Sequence, residues 1–72
     1  MGDRAAKLGK VIRLRRERFG LSQEELAGFA GLNRTSMGEL ERGEINPSFE
    51  TLCRIAGALH TPLSELVRAY EQ

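Results

Sequence analysis

Residues able to perform catalysis or to bind a metal ion are scarce in this sequence. Its 72 residues include one cysteine, Cys53, and one histidine, His60. A structural zinc ion usually takes four Cys or His ligands, and an internal disulfide takes two cysteines. No motif places a nucleophile or an orienting carboxylate beside His60. The sequence therefore predicts a protein that is not an enzyme and that uses no metal or cofactor. Cys53 is interpreted as a small core residue and His60 as a residue near the end of a helix.

Positive charge is concentrated at the N-terminal end of the chain. Residues 1–18 contain seven Lys or Arg and two acidic residues, whereas the remaining residues contain four Arg and eight Glu. A basic segment can bind a polyanion, or it can be the solvated face of a helix. The isoelectric point of about 8.0 is lower than a strongly basic nucleic-acid binder would have, so charge alone leaves both interpretations open.

Length and composition exclude several classes of protein. A chain of 72 residues has the size of one small domain. A single cysteine fits a reducing compartment. The first ten residues have no apolar run typical of a secretory signal, and no segment approaches the roughly 18 apolar residues of a membrane span. We therefore expect one cytoplasmic domain over residues 1–72, with no membrane partner.

Capping residues and apolar periodicity predict two helices in the first half of the chain. The first runs from about Arg4 to Phe19 and ends at Gly20, which suits the position after a helix. The second begins at Ser22, which forms a capping box with Glu25. The inward positions of the first helix are expected to be Leu8, Val11, Ile12, Arg15 and Phe19, and those of the second Leu26, Ala27 and Ala30.

Three further helices follow. The third begins at Asn33, a good N-cap, and ends at Gly43. The fourth is capped by Ser48. The fifth is predicted to have Thr61 as its N-cap and Pro62 as its first residue. The inward face of the fourth helix is expected to contain Phe49, Leu52, Cys53, Ile55, Ala56 and Leu59. No strand is predicted, so the expected fold is all-α, a compact bundle of five helices.

The joint between the second and third helices has the pattern of a helix-turn-helix, over about residues 23–42. Ala27 is small enough to allow close approach of a crossing helix, and Gly31, four residues later, suits a turn with positive φ. The apolar residues that pack the second helix of the pair on the first are Leu32, Met37 and Leu40. The outer face of that second helix would then be free to enter a major groove. The alternative is a helical hairpin that only stabilises the fold.

Three stretches carry a family resemblance: IRLRRERFGLSQEELA, GLNRTSMGELERG and NPSFETLCRIAGALHTPLSEL. From about Lys7 to Val67 the chain resembles the Cro/repressor-type, XRE-like helix-turn-helix DNA-binding family. This family includes lambdoid phage repressors and restriction–modification controller proteins. The resemblance implies a lambda repressor-like domain and a sequence-specific transcriptional regulator. It also implies that a homodimer binds the palindromic operator in double-stranded DNA.

The resemblance also implies which residues read bases. Arg34 and Thr35 match the first exposed positions of the recognition helix, the second helix of the pair. Arg can bond guanine O6 and N7, and the Thr methyl can contact a thymine methyl. Arg34 could instead hold a phosphate. Glu39 faces the groove one turn later, where it could accept a bond from cytosine N4 or orient Arg34 or Arg42.

Phosphate contacts are expected from Gln23, Asn33, Ser36 and Arg42. The family's glutamine at the position of Gln23 also braces the recognition helix, although Gln23 could be an ordinary first-turn residue. Asn33 and Ser36 could be capping groups. Family members often have basic residues where Glu44 stands, which argues against phosphate contacts from that loop.

Gly38 has two interpretations, close approach of DNA or another helix to the recognition helix, or a tolerated defect. Arg16 and Glu41 match a partly buried ion pair that ties the first helix to the third in the resembling repressors. They are interpreted as structural residues.

The fifth helix is expected to form the dimer interface. Its apolar residues are Leu63, Leu66, Val67 and Tyr70. Exposed apolar residues at the end of a chain favour self-association. The alternative is a monomer in which Val67 and Tyr70 fold back on the first helix. A protein-interaction module or an antitoxin-type autoregulator with the same fold is the alternative function, and no small-molecule ligand is expected.

Overall fold

Five α-helices account for most of residues 3–72, the part of the chain that the computed structural model describes. They are α1 (Asp3–Phe19), α2 (Gln23–Ala30), α3 (Arg34–Glu41), α4 (Phe49–Ala58) and α5 (Leu63–Glu71). The prediction of an all-α, five-helix fold is confirmed. Residues 1 and 2 of the predicted domain lie outside the described residues. Within residues 3–72, no helix combines the length and apolar character that a membrane span needs.

Side-chain caps begin three of the helices where the sequence predicts them. Ser22 Oγ accepts a hydrogen bond from the Glu25 backbone N–H at 3.0 Å, and the Glu25 carboxylate accepts one from the Ser22 N–H at 2.8 Å. Asn33 and Ser48 accept backbone N–H bonds at 2.7 and 3.1 Å at the starts of α3 and α4. Each cap satisfies a donor that the first turn of a helix leaves unpaired.

The predicted cap of α5 is wrong by one residue. Pro62, with φ −59° and ψ 135°, is itself the N-cap and has no side-chain cap bond. The Thr61 hydroxyl donates instead to the Leu59 carbonyl at 3.2 Å. Thr61 is buried against the end of α4, so its side chain closes the preceding helix rather than opening the next.

The core lies where the five helices meet. Its members are Leu8, Ile12, Leu26, Ala27, Ala30, Met37, Leu40, Leu52, Ile55, Ala56, Leu59 and Leu66. The inward residues predicted for α2 are all among them, as are Met37 and Leu40 of α3, whereas Leu32 is partly buried and packs against this core. Leu66 is 0% exposed within a single chain, so the prediction that it contacts a second chain is wrong. The physical reason is that α5 packs on both α1 and α4, and this encloses the side chain in the middle of its inner face.

Three residues predicted to face inward lie at the surface. Phe49 is 69% exposed and Cys53 is also exposed. Phe49 and Cys53 lie four residues apart on one edge of α4. They are exposed because the inner side of α4 is already filled by Leu52, Ile55, Ala56 and Leu59. Phe19, the last residue of α1, is half exposed and stacks on the His60 ring with centroids 5.2 Å apart.

Two glycines bring α1 against the end of α3. A Cβ at Gly9 would meet the Glu41 carbonyl oxygen and lie 2.5 Å from the Leu40 carbonyl oxygen. A Cβ at Gly43 would lie 2.6 Å from the Ala6 Cα. Backbone atoms of the two helices therefore touch where any larger side chain would separate them. This close approach places the α1 arginines beside the helix-turn-helix.

Candidate nucleic-acid interface

The second and third helices form the predicted helix-turn-helix. Gly31 adopts a left-handed conformation with φ 73°. The next residue, Leu32, donates its backbone N–H to the Ala27 carbonyl at 2.9 Å. Ala27 is buried between the helices, as the close crossing requires. The turn therefore holds α3 across α2 with the outer side of α3 exposed.

A buried hydrogen-bonded cluster, here called the Arg16–Glu41 cluster, joins the first three helices. Arg16 Nε and Nη2 donate to the two Glu41 carboxylate oxygens at 2.6 and 3.1 Å, and Nη1 donates to the Leu21 carbonyl at 2.8 Å. Gln23 Nε2 donates to Glu41 Oε1 at 3.0 Å. The side chains of Arg16 and Glu41 are only 10% and 2% exposed. The hydrogen bond that Arg16 donates to Glu41 raises the pKa of Arg16 despite its desolvation, so Arg16 stays charged.

The residues expected to read bases lie on the outer side of α3. Arg34 and Thr35 are exposed in its first turn, and Glu39 is partly exposed one turn later. Ser36 is also partly exposed. Asn33 uses its side-chain oxygen for the cap, which leaves its amide nitrogen as the donor for a ligand. The first turns of α2 and α3 carry the partial positive charge of helix N-termini, which favours anions.

A cleft of about 540 Å³ separates the start of α2 from α3. Four arginines line it: Arg13 and Arg16 of α1, Arg34 of α3, and Arg42, which directly follows α3. Gln23 lies at its α2 side, and its amide connects the cleft to the Arg16–Glu41 cluster. The sequence motifs do not predict Arg13 as a member of this site. The available signal was its position three residues before Arg16, which places both on one side of α1.

The Arg42 side chain folds back over the outer side of α3, beside Gly38. Its Nε and Nη2 donate to the Glu44 carboxylate at 2.9 and 3.2 Å. These bonds lower the pKa of Glu44 and raise that of Arg42. A Cβ at Gly38 would lie 3.0 Å from Arg42 Nη1. The close neighbour of Gly38 is thus the Arg42 guanidinium, the end of a flexible side chain, and not another helix.

A second, mainly apolar cleft of about 340 Å³ lies between α1, α4 and α5. Its lining includes Leu8, Pro47, Phe49, Leu52, Val67 and Tyr70. Val67 and Tyr70 pack against the core and remain partly exposed, as does Leu63. α5 therefore contacts α1 within one chain while presenting an apolar edge outward.

Cys53 and His60 line neither of these two clefts. Cys53 lies exposed on α4, so its interpretation as a core residue is wrong. His60 follows α4 in a left-handed conformation with φ 51°. No group of His, Cys, Asp and Glu within residues 3–72 is arranged to hold a metal ion.

The fold and this surface define a class of protein, the helix-turn-helix DNA-binding regulators. Comparison with known proteins agrees, since the family described as Helix-turn-helix matches residues 12–66. The control protein C.SmaI of Serratia marcescens is 42% identical over 60 residues, which cover 83% of this chain and 71% of that protein. The chain belongs to the helix-turn-helix family, and within it resembles restriction–modification controller proteins.

Solved structures show the same likeness. The restriction–modification controller protein C.AhdI from Aeromonas hydrophila is 40% identical, with a TM-score of 0.81 over 86% of this chain and 94% of that one. A variant of C.Esp1396I bound to its highest affinity operator site is 25% identical, with a TM-score of 0.79 over all of both chains. The family consists of transcription regulators.

Proposed function

We propose that this protein is a cytoplasmic transcriptional regulator that binds a palindromic operator in double-stranded DNA as a homodimer. The observation that carries the proposal is the outer side of α3, which is exposed beside a cleft lined by four arginines. The Arg16–Glu41 cluster holds α1, α2 and α3 in one arrangement. A preorganised α3 fits the major groove, whose width admits one helix.

In this proposal, side chains in the first turn of α3 read bases. The Arg34 guanidinium bonds guanine O6 and N7, and the Thr35 methyl contacts a thymine methyl. Glu39 accepts a bond from a cytosine amino group. After the larger effect of Glu44, the Glu39 carboxylate also raises the pKa of Arg42, and its proposed second role is to orient this arginine.

Phosphate groups bind at the helix N-termini that flank the cleft. Gln23 at the start of α2 and Asn33 and Ser36 at the start of α3 offer amide or hydroxyl donors. Backbone phosphate contacts fix the register of a protein on DNA without reading sequence. Arg13 adds a cation from α1 to the same cleft. Its ion pair with Glu17, at 3.3 Å and largely exposed, leaves it able to exchange partners.

Salt dependence separates this function from its alternatives. Release of counterions makes the logarithm of DNA affinity fall linearly with the logarithm of salt concentration. Selection of bound sites from random duplex DNA, followed by titration at several salt concentrations, tests the proposal. An inverted repeat and a steep negative slope are expected. A protein-interaction module would select no sequence and show almost no slope. An antitoxin-type autoregulator would also bind DNA and would in addition copurify with a toxin partner.

Arg34→Ala is expected to weaken binding to the selected site by about 1–3 kcal/mol and to relax the preference at one base pair of each half-site. The physical reason is the loss of two N–H donors to a base edge. Titrations on the selected duplex and on random duplex measure both effects. The matched control is Arg68→Ala, since Arg68 is an exposed arginine on α5 away from the cleft. Equal losses on both duplexes would assign Arg34 to phosphate instead.

The homodimer is proposed to form at the apolar cleft between α1, α4 and α5. Phe49 is largely exposed at the rim of that cleft, beside Val67 and Tyr70. A second chain that buries these side chains removes apolar surface from water. Two recognition helices about 34 Å apart would then match successive turns of one face of DNA, with half-site centres about ten base pairs apart.

Phe49→Glu is therefore expected to weaken the dimer about 30-fold or more, as loss of a buried aromatic anchor does. Sedimentation equilibrium measures the change. The control is Phe29→Glu, because Phe29 is also an exposed phenylalanine, at 61%, but lies on α2. Phe49 is a surface residue in the single chain, so the variant should melt at the wild-type temperature at concentrations where both are monomeric. A wild type that remains monomeric at tens of micromolar and binds one half-site as well as a palindrome contradicts this interface.

A further inference from the structure

The centre of the outer side of α3 has no side chain of its own. Gly38 lies one turn after Arg34 and one turn before Arg42, so the three positions share one side of the helix. The Arg42 guanidinium occupies the space above Gly38. A Cβ there would be 3.0, 3.8 and 3.9 Å from Nη1, Cζ and Nη2. This cover makes Gly38 buried although it faces the cleft.

Glu44 determines which edge of the guanidinium is available. Its carboxylate accepts from Nε and Nη2, the side edge of the group. The end edge, formed by Nη1 and the second N–H of Nη2, carries two parallel donors. Two parallel donors match the O6 and N7 acceptors of guanine.

The same carboxylate disfavours a phosphate at this position. Glu44 compensates the charge of Arg42 and would lie next to the bound phosphate, which it would repel. A guanine edge is an uncharged pair of acceptors, and a carboxylate beside Arg42 does not repel it in this way. The arrangement therefore favours a base over a phosphate as the partner of Arg42.

We infer that Arg42 is a specificity-determining residue whose guanidinium, held by Glu44 over Gly38, binds guanine O6 and N7 in the major groove. This inference rests on the proposed DNA-binding function and replaces the phosphate contact expected for Arg42. Gly38 lies about 6 Å along α3 from Arg34. Base pairs are spaced about 3.4 Å apart, so Arg42 reads a different base pair from Arg34, one or two steps away.

The test compares variants in selection from random duplex DNA. Arg42→Lys keeps the charge but lacks the paired donors. We expect it to lower the preference for guanine at one base pair of each half-site by roughly 5- to 150-fold, with an unchanged salt slope. Gly38→Ala should lower the preference at the same base pair, because the added methyl displaces the guanidinium. Its melting temperature should not fall, since alanine favours helix.

The Glu44→Gln variant distinguishes the positioning of the Arg42 guanidinium from the effect of the negative charge of Glu44. Loss of the carboxylate should reduce the guanine preference while strengthening binding to random duplex, because one negative charge is removed from the interface. The control is Arg54→Lys. Arg54 forms a comparable exposed ion pair with Glu50 at 2.6 Å, on α4, and its replacement should change neither measurement.

Two results would overturn the inference. If Arg42→Lys keeps the wild-type preference while Arg42→Ala weakens binding equally on all duplexes, Arg42 contacts phosphate. The proposed function survives that result, because the wild type still selects a site. If the wild type selects no sequence, both the proposed function and this inference fail.

Discussion

Glu41→Ala is expected to lower the free energy of unfolding by about 3–5 kcal/mol, the cost of leaving one member of a buried ion pair without its partner. The Arg16 guanidinium would keep only the Leu21 carbonyl among its present partners. Gln23 would lose its acceptor as well. Urea denaturation, followed by circular dichroism, measures the change. Arg16 is positively charged throughout the accessible pH range, so it cannot escape the cost by deprotonation.

Two further variants distinguish burial of charge from loss of packing. Replacing both partners by apolar residues, as in Arg16→Met with Glu41→Leu, should recover much of the lost stability, since no unpaired charge remains. Glu17→Ala removes the partner of Arg13 in a largely exposed pair and should cost less than about 1 kcal/mol. An unfolding midpoint unmoved by Glu41→Ala would show that the Arg16–Glu41 cluster does not stabilise the fold.

Gly9→Ala is expected to destabilise the protein by about 3 kcal/mol, the upper end of the range for an overpacked core. Helix propensity alone predicts the opposite, a gain of about 1 kcal/mol. The close approach of α1 and α3 decides whether the substitution stabilises or destabilises the protein, because the new methyl would meet the Glu41 and Leu40 carbonyl oxygens. These are backbone atoms, so relief requires α1 and α3 to move apart. Thermal and urea unfolding both measure the loss.

Gly28→Ala is the matched control for this substitution. Gly28 also lies inside a helix, and a Cβ there would meet nothing within 4 Å. It should therefore show the propensity gain without the steric cost. If Gly9→Ala stabilises the protein as Gly28→Ala does, the contact between α1 and α3 is looser than the structure has it.

Local signals in the sequence are sufficient for most of the helical framework. Ser22 with Glu25, Asn33 and Ser48 cap helices through bonds that span only three residues. Gly31 is required by a turn formed from its own neighbours. The centre of each amphipathic stripe is buried as its period predicts. These features depend on contacts within one or two turns, so the sequence alone contains the information for them.

Features that depend on how the helices pack could not be predicted in this way. Leu66, Phe49 and Cys53 all lie on an apolar side of their helix, yet only Leu66 is enclosed. Periodicity gives the direction of an apolar side and not its width, which the neighbouring helices determine. The sequence predicts an exposed Leu66 because it does not show how α1 and α4 cover this side chain.

The features of the candidate DNA surface fall into the same two groups, those that local sequence predicts and those that depend on packing. The sequence itself determined the helix-turn-helix, the caps and the exposed first turn of α3, because each follows from residues close together in the chain. Only the tertiary structure decided that Gly9 admits the α3 backbone, that Arg13 enters the cleft and that Arg42 covers Gly38. The first two of these arise from packing of α1 against the helix-turn-helix. The third depends on the side-chain conformation that Glu44 selects, and apolar periodicity carries no information about it.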